Sequence, residues 1–274
     1  MPTPILIQTR TQTRNKIKIR DIEDYLFQFA PKELAMDWDN VGLLIGDPDM
    51  EVTRALIALD ITDITAREAI EKDCNLIISH HPVMNCHWNP VQNIRQDTPQ
   101  GKLLIKLLKN NIAAICMHTN LDRTKGGVND CLAEKLNLLN WRDLPGGDGF
   151  CRMGNLAEST DLKIFVKDIK NILHCNGVRY ADGGKKVLRI ATGGGACGEY
   201  AQAAFNAGCD TFVTADIKYH DFLDAAAMGL NLIDAGHFPT ENLICEKLIE
   251  ILSRQFPDLF FIKSEYHREI INYI

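Results

Sequence analysis

The chain has 274 residues, of which 46% are hydrophobic and 24% charged, with a formal net charge of −6. That length suits one large or two ordinary domains, and the composition is that of a soluble globular protein. The acidic balance argues against a general nucleic-acid binder, and the longest apolar runs fall short of the roughly 18 residues that span a membrane.

Residues 1–20 carry Arg10, Arg14, Lys16, Lys18 and Arg20 and no acid. With no long apolar stretch and a poor amphipathic pattern, residues 1–16 read as a disordered extension rather than a targeting signal. The first helix is expected over 20–29, closed by Pro31. Residues 38–46, Trp-Asp-Asn-Val-Gly-Leu-Leu-Ile-Gly, read as a turn into a short strand. A buried strand follows over 54–60 and a helix over 65–72. The next strand, 75–79, ends in His80-His81. A helix over 101–110 sets Leu103, Leu104, Leu107 and Leu108 on one stripe. A strand over 112–117 then ends in His118.

Residues 143–149, with three Gly and one Pro, form the best hinge candidate. Beyond it the order repeats: strand 186–192, helix 199–207, strand 210–214 ending in Ala215-Asp216, helix 222–228, strand 230–234 just before His237. A helix continues over 242–253. The chain therefore reads as a duplicated α/β unit with mostly parallel sheets flanked by helices. The expected domains are 17–145 and 146–274, with the C-terminal helix within reach of the first. Nine scattered cysteines without a C-x-x-C pair indicate neither a zinc ribbon nor a disulfide framework. Cys116 and Cys209 read as small core residues, and a reducing compartment, the cytoplasm, is expected.

Under the repeat, His118-Thr-Asn-Leu-Asp122 falls opposite His237-Phe-Pro-Thr-Glu241. Imidazole and carboxylate together bind borderline-hard divalent cations, and ligand groups of parallel sheets gather beyond strand carboxyl ends. Adjacent strand side chains point to opposite sides, but Pro82 stiffens a turn there. His80 and His81 can then diverge to two metals, or one can ligate while the other only hydrogen-bonds. Glu241 in a first helical turn favours the helix dipole, a structural role; its two oxygens also suit a bridge between two metals.

Gly193-Gly-Gly-Ala-Cys-Gly198 formally matches a dinucleotide fingerprint, with Asp216 about 20 residues on. A dinucleotide leaves the His and carboxylate fragments unexplained, and Glu199 puts negative charge where its phosphate would sit. The expected role is a tight strand–helix turn lining the site and open to a phosphate. In that role Gly195→Ala costs stability and leaves metal binding intact. His220 is a candidate for substrate contact or proton transfer, and Lys218 for contact with an anionic substrate. His87, His174 and His267 have no companions at ligand spacing and receive no role. There is no Walker-A sequence and no G-x-S-x-G elbow.

Five segments in order, Trp38-Asp-Asn-Val-Gly-Leu-Leu, Ser79-His-His-Pro, His118-Thr-Asn-Leu-Asp, Thr214-Ala-Asp-Ile-Lys-Tyr-His-Asp and Gly236-His-Phe-Pro-Thr-Glu, resemble the short form of the GTP cyclohydrolase I type 2 family, also called the NGG-interacting-factor-like family. The resemblance implies two α/β domains, a dinuclear metal centre between them and a ring-shaped homohexamer. By motif, the implied ligands are His80, His81, Asp122, His237 and a bridging Glu241, with His118 at the site edge.

Two functions are expected to compete. One is a metal-dependent hydrolase acting on a nucleotide or other phosphoester, GTP cyclohydrolysis included. It would hold two divalent ions (Zn, Mn, Fe, Co or Ni) per chain, with His118 or His220 relaying protons. The other is a non-catalytic metal-binding or regulatory protein built on the same ligands. The discriminator is a nucleotide-sized pocket beside an open coordination position.

Overall fold

The computed structural model describes residues 16–85 and 90–274. The expectations for residues 1–15 of the extension and for His87 therefore lie outside the described residues.

The first half runs α1 (Ile19–Phe29), β1 (Gly42–Ile45), β2 (Arg54–Ala58), α2 (Asp63–Glu71), β3 (Leu76–Ser79), α3 (Pro99–Lys109), β4 (Ala113–Cys116), α4 (Thr119–Arg123), α5 (Val128–Lys135) and β5 (Leu139–Asp143). The second runs β6 (Arg152–Thr160), α6 (Leu162–Ile172), β7 (Arg179–Ala181), β8 (Val187–Thr192), α7 (Ala201–Asn206), β9 (Thr211–Thr214), α8 (Tyr219–Met228), β10 (Asn231–Asp234), α9 (His237–Glu241), α10 (Ile244–Gln255) and β11 (Phe260–Lys263).

Local chemistry fixes these elements. Thr98 caps α3 by accepting from the Gly101 N–H, and Pro99 opens its first turn. Leu103, Leu104 and Leu107 turn inward, but Leu108, expected on the same stripe, is 52% exposed. It lies at the edge of the buried arc. Gly229 ends α8 in the left-handed conformation that glycine adopts without steric cost. Strands β3, β4, β9 and β10 are buried on both faces, which is why they lack the apolar–polar alternation of a half-exposed strand.

Two sheets result, in the orders β1-β4-β3-β2-β11 and β5-β6-β8-β9-β10-β7. Strands β2, β3 and β4 are parallel, with β1 antiparallel beside β4. Strands β8, β9 and β10 are parallel, with β7 antiparallel beside β10. The orders 1-4-3-2 and 7-10-9-8 are the same topology, so the duplication read from the sequence is present in the fold. It sets α4 against α9, both five-residue helices entered through a histidine.

The ends of the two halves are exchanged. Strand β5 joins the second sheet beside β6, and β11 joins the first, parallel to β2. Their helices cross with them. Ile244, Cys245, Leu248 and Leu252 of α10 pack into the core of the first sheet with Ile57 and Ile78. Leu132, Ala133 and Leu136 of α5 pack with Val187 and Ile190 of the second. Each large buried side chain in these crossings contributes about 1.5–3 kcal/mol relative to exposure. The two sheets are thereby clamped together. The carboxyl ends of β3, β4 and β10 carry the three fragments singled out above.

Candidate metal centre

Ser79 closes β3, and its hydroxyl donates to the His81 carbonyl at 2.8 Å. The amides of both His80 and His81 donate to the Leu59 carbonyl, at 3.2 and 2.9 Å. This double bond bends the chain out of strand geometry. The neighbouring rings therefore lie 4.9 Å apart and face the same centre, instead of opposite sides of a sheet. On α4 the Asp122 amide donates to the His118 carbonyl, and on α9 His237 and Glu241 stand one turn apart. The five expected ligands are thus brought together from both halves.

They divide into two groups that share Glu241. His80 Nε2 lies 3.4 Å from Asp122 Oδ1 and 3.9 Å from Glu241 Oε1. His81 Nε2 and His237 Nε2 lie 3.1 and 3.0 Å from Glu241 Oε2, and 3.4 Å from each other. Each group gathers three potential donors within metal-binding reach. Inside the centre, His80 Nε2 and Asp122 Oδ1 are buried without a hydrogen-bond partner. Buried polar atoms are seldom left this way. Converging lone pairs of nitrogen and oxygen fit divalent cations such as zinc, manganese, iron, cobalt or nickel.

The outer nitrogen of every ring is already held. His80 Nδ1 meets the Met117 carbonyl at 2.9 Å, and His81 Nδ1 meets Asp60 at 2.7 Å. His118 Nδ1 meets Asp39 at 2.9 Å, and His237 Nδ1 meets Asp216 at 2.6 Å. Such outer contacts fix ring orientation and aim Nε2 inward. Charge in the metal-free protein follows burial first. Burial pulls His80 down to about 3, and burial together with the Glu241 charge pushes Asp122 up. Burial also opposes the charged forms of His81, His237 and Glu241. Asp60 and Glu241 nevertheless raise His81 to about 10, Glu241 and Asp216 raise His237 to about 11, and His237 and His81 hold Glu241 down.

A profile of the Duf34/NIF3 (NGG1p interacting factor 3) family matches residues 17–269. The chain is 35% identical over 232 residues to a GTP cyclohydrolase 1 type 2 homolog of Clostridium acetobutylicum, covering 82% of this chain and 85% of that one. It is 32% identical over 265 residues to the homolog of Clostridium perfringens, covering 94% and 100%. A solved hypothetical protein of Staphylococcus aureus superposes with a TM-score of 0.88 at 33% identity, covering 95% and 100%. The chain belongs to the Duf34/NIF3 family.

The two histidines expected to move protons part company in this Duf34/NIF3 fold. His118 lines a cavity of about 730 Å³ together with His81, Asp122, His237 and Glu241. His220 stands exposed on the first turn of α8, edge-on to Tyr219, and does not line that cavity. The helix start carries it outward, as it does Lys218.

The glycine turn corrects another expectation. Gly194 N–H donates to Asn129, Gly195 N–H to Thr240 and Cys197 N–H to Thr214. Those three amides are committed to side chains and do not face a phosphate. Gly195 has φ +62°, and a Cβ there would stand 2.1 Å from Glu241 Oε1 and 3.1 Å from His237 Nε2. Gly195→Ala is therefore expected to disturb the centre itself, beyond the ~1–2 kcal/mol of left-handed strain. Its metal content, measured on folded protein, should drop. Undiminished content would return the glycine to a turn-only role.

His267 also changes standing. Its Nε2 lies 3.2 Å from Asp60 Oδ2, while Asp60 Oδ1 holds His81. The carboxylate bridges two imidazoles, and both pull its pKa below the usual range against the effect of burial. His267→Ala should weaken cation binding about 10-fold, the lower range for such outer contacts. Competition with a chelator measures it, and an unchanged affinity would remove His267 from the account. Sequence spacing offered no signal for Asp39, Asp60 or His267 as ring-holding residues.

Proposed function

We propose that this protein holds two divalent cations between its two structural units, residues 17–145 and 146–274, and acts as a hydrolase on a small molecule. His80, Asp122 and Glu241 would hold one cation, and His81, His237 and Glu241 the other. The observation that carries this reading is Glu241, buried, with one oxygen in each donor group. Cations bound there would act as Lewis acids and lower the pKa of a water toward neutrality. The chain supplies the rest. Asp39 orients His118 on the cavity wall, where Nε2 can take or deliver a proton. Asp60 and Asp216 keep His81 and His237 facing inward.

The relatives' name, GTP cyclohydrolase 1 type 2 homolog, puts nucleotides and phosphoesters among the substrates to test. The reading extends to a reducing compartment, the cytoplasm, and to a homohexamer. The first is supported by the free thiols of Cys74, Cys131, Cys151, Cys175, Cys197, Cys209 and Cys245. The hexamer is carried by the family resemblance. A non-catalytic metal-binding role is the alternative, and the 730 Å³ cavity against Asp122 and Glu241 favours the enzyme. The test is a turnover screen of metal-reconstituted protein against nucleotides and phosphoesters. Turnover abolished by His118→Ala supports the hydrolase, and no turnover of any compound supports the alternative.

A further inference from the structure

The cavity beside the metal centre has a second character. Trp38 enters it from the segment before β1, Phe150 from the segment before β6, and Tyr200 from the turn before α7. Phe150 and Tyr200 stack with centroids 6.4 Å apart and planes 21° apart. Trp38 is 39% exposed and meets His118 edge-on at 6.0 Å. Flat π faces at a wet cavity suit a ring, since stacking tolerates any heteroaromatic.

The charged lining is acidic. Asp148 and Glu199 stand exposed on the wall, and among the described residues no Lys or Arg lines it. Arg123 stands behind this wall, where its guanidinium covers Phe150 at 5.4 Å and donates to the Leu34 carbonyl at 3.0 Å. The Tyr200 hydroxyl is pushed up by burial and then by Glu199 and Asp148, a local sign of negative potential. Three amides of the glycine turn, those of Gly194, Gly195 and Cys197, donate to Asn129, Thr240 and Thr214. No Lys or Arg side chain among the described lining residues awaits a polyphosphate, and nucleoside-triphosphate sites ordinarily use such cations.

We propose that the ligand of this cavity is a heteroaromatic ring carrying at most one phosphate-sized anionic group, held by stacking at Trp38 and against the Phe150–Tyr200 pair, and that a nucleoside triphosphate is disfavoured. The inference rests on the metal-centre reading, because a single anionic group would be neutralised only by the cations.

Metal-loaded protein of measured metal content is titrated calorimetrically with guanosine, GMP and GTP. GMP should bind at least as tightly as GTP. The double variant Asp148→Asn, Glu199→Gln should tighten GTP at least threefold and change GMP less. Trp38→Ala should weaken guanosine and GMP at least tenfold with metal content retained, and Trp38→Phe should restore most of the loss. GTP binding tenfold tighter than GMP would overturn the proposal, as would a Trp38→Ala protein of unchanged affinity. Protein that holds its cations but binds none of the rings also overturns it, while leaving the metal centre standing. Protein that takes up no cation overturns the proposed function first.

Discussion

Glu241→Gln is expected to strip both cations from the protein. The substitution keeps the size and one carbonyl oxygen of the side chain but removes the negative charge. Glu241 is buried, Oε1 faces His80 and Asp122, and Oε2 faces His81 and His237 at 3.1 and 3.0 Å. Both donor groups lose their shared anion, so affinity at each should fall by about 100-fold or more, at or beyond the upper range seen for outer-contact losses. Asp122→Asn should act differently, because Asp122 Oδ1 stands with His80, in the group that excludes His81 and His237. One ion should leave and the other remain. Metal analysis of both variants, with folding checked by circular dichroism, decides the matter. Loss of the same single ion from each would show that Glu241 does not bridge.

The second large effect is thermal. His80, His81 and Asp122 come from the first half of the chain, and His237 and Glu241 from the second. No half closes either Glu241-containing group alone, so filling both groups must draw on the folded whole, although His80, His81 and His118 gather within the first half. A ligand that binds only the native state adds RT ln(1 + [L]/Kd), about 4 kcal/mol at a thousandfold excess over Kd. For a chain of this size that corresponds to roughly 10 °C in Tm. Chelation should lower the melting temperature by this order, and readdition should restore it. His237→Ala should abolish the metal-dependent increment while the metal-free protein stays folded. His220→Ala, whose ring lies outside the cavity, should leave it intact. An increment that survives His237→Ala would contradict the placement of the site between the halves.

Much of this site was legible because the fold repeats itself. The buried strands β3, β4 and β10 announce themselves as apolar runs, and each ends in a histidine or just before one. The repeated His-x-x-x-carboxylate then falls on two equivalent five-residue helices, α4 and α9. The tandem His80-His81 was ambiguous until the shared Leu59 carbonyl explained how both rings face inward. Other features depend on contacts between distant residues. Asp39 reaches His118 across 79 positions and Asp60 reaches His81 across 21, neither with a local signature. The glycine turn lines the cavity as its place after a strand suggested, but its spacing gave no sign that Gly195 abuts Glu241. Strand β6 is half exposed and polar beyond Gly154, so it lacks the apolar run that marked its neighbours. The exchange of β5 and β11 is a choice between sheets of similar chemistry, which local pattern does not encode.

The most direct test of the account is elemental analysis of the whole protein, purified without chelator and reconstituted separately with zinc, manganese and iron. Close to two ions per chain is the expected result with at least one of these metals. A ceiling of one ion, or none, with all three would contradict a dinuclear centre built around Glu241.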